Sequence, residues 1–105
     1  GREGRAAMNQ YGRRAMRHWQ EWLPERFQEL EDPEEFFTEL GEQAAEEIDN
    51  LSAELDAQYP DRDQAGYSDR VAQLSTSRQM AENQVTRDLL LVDPEDEEKI
   101  AQLMG

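Results

Sequence analysis

The feature that most constrains this chain is a set of apolar residues, Phe37, Leu40, Ala44, Ile48, Leu51 and Leu55, recurring at steps of +3, +4, +4, +3 and +4. Such a period puts all six on one face of an α-helix but scatters them over both faces of a strand, so the centre of the molecule is a helix. Its start is written in "EDPEEFF". Asp32 suits the cap, Pro33 fits the first helical position, and Glu35 stands three after the cap, where its carboxylate can reach the cap's own amide. The spacing predicts a helix over 33–58, roughly 39 Å long at 1.5 Å per residue. Gly41 weakens it by up to about 1 kcal/mol relative to alanine and marks close packing by another helix.

The flanking segments repeat this logic. "YPDRDQAGY", Tyr59 to Tyr67, has no apolar period and is the loop of a helical hairpin. Ser68 suits the cap of the returning helix, expected over 69–91, whose inner side runs Val71, Leu74, Arg78, Ala81, Val85, Leu89 and Val92. Arg78 interrupts that stripe, with its stem expected on the core and its guanidinium on an acid or a partner. Upstream, Met8, Tyr11, Ala15, Trp19 and Trp22 define a helix over 10–23, capped by Asn9 and stopped at Leu23-Pro24, with a short helix following Pro24. At the C-terminus Asp93 is the expected cap, Pro94 the first residue and Asp96 the third, ahead of Ile100, Leu103 and Met104. No segment reads as a strand. The expected fold class is all-α: a helical hairpin of two long helices with an N-terminal helix and a short C-terminal helix, a small helical bundle. Residues 1–7, "GREGRAA", read as a non-native leader, which leaves 8–105 as a single helical domain.

Composition narrows the chemistry. There is no cysteine, which excludes disulfides, thiolate metal sites and thiol nucleophiles and fits a reducing compartment; with no apolar run of membrane-spanning length, a cytoplasmic protein is expected. Leu, Ile, Val and Phe number only 18 of 105, under the roughly 20 per cent below which a highly charged chain is suspected of disorder. The helical periodicity argues for folding, and a second copy would supply missing apolar burial, so a homodimer is expected.

The formal charge is −14, and it is uneven: residues 31–63 hold thirteen acids and one base, whereas residues 8–30 hold three acids and four bases. Within the central helix Glu35, Glu39, Glu42, Glu46 and Asp49 step by +4, +3, +4, +3 and line one face, turned away from the apolar stripe. That face is open to three readings: a solvated surface, a divalent cation site, or a surface for a basic protein. The Glu-x-x-His pattern of di-iron bundles and the Asp-rich EF-hand loop are both missing, so no metal and no cofactor are expected. Nine acids from Glu34 to Asp56 give one charge every ~4 Å of helix, near the 3.4 Å axial spacing of phosphates in one DNA strand. Arg13, Arg14 and Arg17 sit with His18 and both tryptophans in "YGRRAMRHWQEW", which suggests nucleic-acid contact, but the acidic block beside them outweighs it. They are expected to make secondary contacts, to the chain's own carboxylates or those of a second copy. No Ser-His-Asp set, phosphate-cradling loop or zinc spacing is present, and no enzyme is expected.

With "MNQYGRRAMRHWQEW", "DPEEFFTELGEQ" and the hairpin, the stretch from Met8 to about Asp93 resembles small uncharacterised acidic proteins of actinobacterial mobile elements, encoded on plasmids and phages. The resemblance implies mobile-element biology, where inhibitors of host defence, plasmid accessory factors and virion assembly proteins occur. It carries no catalytic residues. The leading expectation is a non-enzymatic acidic protein that binds a basic, nucleic-acid-binding surface of another protein through Glu35, Glu39, Glu42, Glu46 and Asp49, a DNA mimic of the anti-CRISPR or anti-restriction type. The alternatives are an assembly protein acting through apolar positions such as Leu89, Leu91 and Ile100, and a nucleic-acid binder acting through the N-terminal helix.

Overall fold

A computed structural model describes residues 7–58 and 67–105, the side chains of 67–71 and 73 excepted. Among the described residues there are five helices and no strand: α1 Gln10–Trp22, α2 Pro24–Glu29, α3 Pro33–Ala57, α4 Tyr67–Val85 and α5 Glu97–Met104, with α4 prolonged by a π-helical turn, Thr86–Leu90. The protein is an all-α bundle in which α3 packs against both α1 and α4. No helix of the described residues is long and apolar enough to cross a membrane. The loop expected over Tyr59–Tyr67 falls outside the described residues up to position 66, as do the first six residues of the expected leader. Helix α4 begins at Tyr67, which places Ser68 inside the first turn instead of at the cap.

Helix α3 is bounded and buried as its sequence dictates. The Asp32 carboxylate accepts the Glu35 amide at 3.1 Å, and Phe37, Leu40, Ala44 and Ile48 are buried. Leu51 and Leu55 are half-buried against that core. Trp19, fully buried, lies across Phe36 and Phe37 with ring centroids 5.3 and 5.5 Å away, and Phe27 stacks on Phe37 at 6.0 Å. Tilted and edge-on rings at these distances add to burial through the ring quadrupoles.

Helices α1 and α3 touch backbone to backbone at Gly12 and Gly41. A β-carbon on Gly41 would lie 2.7 Å from the Gly12 nitrogen and 2.9 Å from its Cα. Asn9 locks the crossing: its Oδ1 accepts the Gly12 amide at 2.9 Å as the helix cap, and its Nδ2 donates to the Gly41 carbonyl at 2.9 Å.

Three further details differ from the sequence expectation. Trp22 is 57% exposed, and Leu23, at 5%, takes the core position; its amide donates to the Trp19 carbonyl at 2.8 Å, so one further residue of turn swings Leu23 inward and Trp22 out. The buried side of α4 runs Ser77, Ala81, Val85 and Leu89, while Leu74 and Arg78 point outward. Steps of four drift around an α-helix of 3.6 residues per turn, and the π turn, closed by the Leu91 amide on the Thr86 carbonyl at 2.8 Å, takes up the extra residue and buries Leu90 as well. Finally, α5 starts at Glu97, not at Pro94. Asp93 spends its carboxylate on the Glu95 amide at 2.9 Å, an Asx turn around Pro94, and Asp96 becomes the cap through the Lys99 amide at 3.1 Å.

Candidate functional site

The acidic face of α3 follows from its helical register. With Phe37, Ala44 and Ile48 fixed in the core, Glu39, Glu42 and Glu46 must point outward, and all three are exposed. None of the three makes an ion pair among the described residues. Glu35 lies in the first turn and is half-buried. Asp49 ends the row and is engaged: its Oδ1 accepts from Arg78 Nη1 at 2.9 Å, and Arg78 also reaches Glu82 at 3.4 Å. The hydrogen bond to Asp49 holds the Arg78 guanidinium still more firmly protonated than an ordinary arginine. Of the five expected residues, therefore, Glu39, Glu42 and Glu46 form the exposed anionic row, Glu35 is half-buried in the first turn, and Asp49 is half of a hairpin-bridging pair. The stem of Arg78 is not in the core; Ser77 holds that place.

Arg13, Arg14 and Arg17 lie on the outer side of α1, opposite Gly12, Ala15 and Trp19. Arg13 donates to the Met8 carbonyl at 2.6 Å. Arg14 and Arg17 contact none of the chain's own carboxylates among the described residues, so the expected internal pairing does not form. His18 is a boundary residue whose Nε2 meets the Val92 carbonyl at 2.7 Å, tying α1 to the segment after the π turn. No three His, Asp or Glu side chains gather closely enough to hold a metal ion among the described residues. Leu89 and Ile100, named for the assembly reading, are 5% and 1% exposed and serve the chain's own core. Among the described residues the large apolar side chains that do face outward are Trp22, Leu74 and Met80.

A groove of ≈ 520 Å³ between α3, the end of α4 and α5 is the feature the sequence does not announce. Its apolar lining is Leu51, Val85, Leu89 and Leu103, and Glu47, Glu54, Asp88 and Lys99 supply the charge. The carboxamides of Gln43, Asn50, Gln84 and Gln102 complete it. A smaller hollow of ≈ 210 Å³, lined by Phe36, Glu39 and Leu40, shares Gln43, Gln102 and Leu103 with it. The spacing Glu47, Leu51, Glu54 is a helical one and shows in the sequence. What it lacks is which flank of α3 receives α5, and that depends on where Asp96 starts the last helix. No protein-family model, curated protein or solved structure matches the chain.

Proposed function

We propose that the chain is a non-enzymatic acidic helical protein that binds a basic, nucleic-acid-binding surface of another protein, as an inhibitor of the DNA-mimic type, such as an anti-CRISPR or anti-restriction factor of a mobile element. One observation carries the reading. Glu39, Glu42 and Glu46 stand on one exposed face with no ion pair among the described residues, in a chain of net charge −14. The segment from Glu34 to Asp56 contains no base at all, so the row has no neighbouring cation on its own helix and presents a field of a single sign. Successive charges from Glu35 to Glu46 rise by roughly 5 Å along the axis, from a rise of about 1.5 Å per residue. A rod of that pitch attracts Lys- and Arg-lined grooves without reproducing the phosphate register. The absence of cysteine suits action in the cytoplasm.

The test is capture from a host lysate by the wild-type chain and by a Glu39→Lys, Glu42→Lys, Glu46→Lys variant, with circular dichroism to establish that the helices are retained. A nuclease or other basic protein is expected to be captured by the wild type, to be released as salt rises, and to be lost on charge reversal. Capture indifferent to both salt and reversal ends this reading.

A further inference from the structure

We propose that the groove between α3, the end of α4 and α5 is the receptor for a basic amphipathic helix contributed by the protein partner, an inference that rests on the reading above. The argument is one of complementarity. Half-buried Leu51 and Leu103 offer the apolar surface, laid over Val85 and Leu89, which are 6% and 5% exposed, and the charges around it are Glu47, Glu54 and Asp88 against the single Lys99. Glu39 adds a further acid in the adjoining hollow. Glu47 and Glu54 are two turns apart, about 10 Å, with Leu51 between them. A helix with apolar residues at i, i+3, i+4 and i+7 and lysines on either side of that stripe presents the same alternation at the same pitch. The apolar anchors of such a helix would lie over Leu51 and Leu103 while its cations meet the two glutamates on one side and Asp88 on the other.

Other occupants fit less well. A second copy of this chain has one basic helix, α1, but the apolar face of α1 is consumed by its own core, where Ala15 and Trp19 are fully buried. Nucleic acid would bring phosphates to an acidic rim. The floor is built by elements held from elsewhere: Val85 and Leu89 belong to the core cluster, and α5 is anchored by Ile100, 1% exposed. The groove therefore exists before the partner arrives, which lowers the ordering cost of binding.

The experiment titrates the full chain with two labelled 18-residue peptides of identical leucine and lysine composition, one with leucines at i, i+3, i+4 and i+7 and one scrambled to destroy the stripe, at physiological salt. The striped peptide is expected to bind, to gain helicity on binding, and to bind at least tenfold more tightly than the scrambled one. Glu47→Gln, Glu54→Gln and Asp88→Asn together are expected to weaken it tenfold or more, and Gln102→Trp, which fills the groove without removing charge, to do the same. Glu42→Gln with Glu46→Gln, on the outward face of α3 and outside the lining of both groove and hollow, should change it less than twofold. Equal binding of both peptides, or a larger loss from the Glu42 and Glu46 changes than from the groove changes, overturns the groove as receptor while leaving capture of a basic partner by the outward face intact. Tight striped-peptide binding with lysate capture that falls with salt but is unchanged by the outward-face charge reversal would retain the groove and sink the outward-face reading instead.

Discussion

Between α1 and α3 the backbones meet at Gly12 and Gly41, and the effect of a side chain there is decided by atoms that have little room to move. A methyl group on Gly41 would press on the Gly12 backbone at 2.7–2.9 Å and on the Asn9 side-chain oxygen that caps α1. Alanine is the better helix former by about 1 kcal/mol, so propensity alone predicts that Gly41→Ala stabilises the protein. Overpacking of about 1–3 kcal/mol, together with damage to a cap worth about 1 kcal/mol, works against it, and backbone atoms cannot rotate aside as a side chain would. We expect Gly41→Ala to lower stability by about 1–3 kcal/mol in urea unfolding, with an unchanged slope. A stabilised variant would show that the helices separate at this crossing without penalty.

At the scale of the element, the end of α1 separates what a period can reveal from what it cannot. Trp22 and Leu23 both fall near the apolar stripe, and the sequence favours the larger one for the core; the structure buries Leu23 and leaves Trp22 57% exposed. Leu23→Ala is therefore expected to cost about 2–5 kcal/mol, the range for a buried leucine. Trp22→Ala should stay within about 0.5 kcal/mol, as surface changes do. Urea unfolding gives both values, and acrylamide should quench one tryptophan of the wild type strongly and none of the Trp22→Ala variant. The reverse ranking would put Trp22 in the core. The same limit appears elsewhere. That each of these segments is helical, and where α1 and α3 start, was legible because caps and apolar periods are local, as at Asn9 and Asp32. Positions that depend on a neighbour were not: Ser77 displaces Arg78 from the inner side because steps of four and a π turn set the phase of α4, and Asp96 replaces Asp93 as cap because Pro94 sits in an Asx turn. The acidic row of α3 was readable from spacing, yet the pairing of Asp49 with Arg78 and the groove beside Glu47 and Glu54 required knowing which helix lies on which flank.

For the molecule as a whole, charge is distributed so that folding concentrates repulsion. The chain carries −14, with thirteen acids and one base between residues 31 and 63, and α3 draws nine of those acids onto one rod. The ion pairs seen among the described residues are Arg26 with Glu29 and Glu97 and Arg78 with Asp49 and Glu82, all with side chains 40–79% exposed. Exposed pairs of this kind are worth about 0–1 kcal/mol each. Opposing them are neighbouring acids such as Glu39, Glu42 and Glu46, whose mutual repulsion acts over spacings of about 5–10 Å along the helix. At 10 mM salt the Debye length of about 30 Å leaves the whole row interacting, and at 0.15 M it shrinks to about 8 Å. Screening therefore removes more repulsion than attraction, and the melting temperature should rise between these two conditions, by roughly 4–8 °C for each 1 kcal/mol of repulsion relieved. The Glu39→Gln, Glu42→Gln, Glu46→Gln variant should start higher and respond less, since it has less repulsion to screen. A melting temperature that falls with salt, or one whose salt response is unchanged in that variant, would mean that the acidic row carries no self-repulsion for a basic partner to relieve.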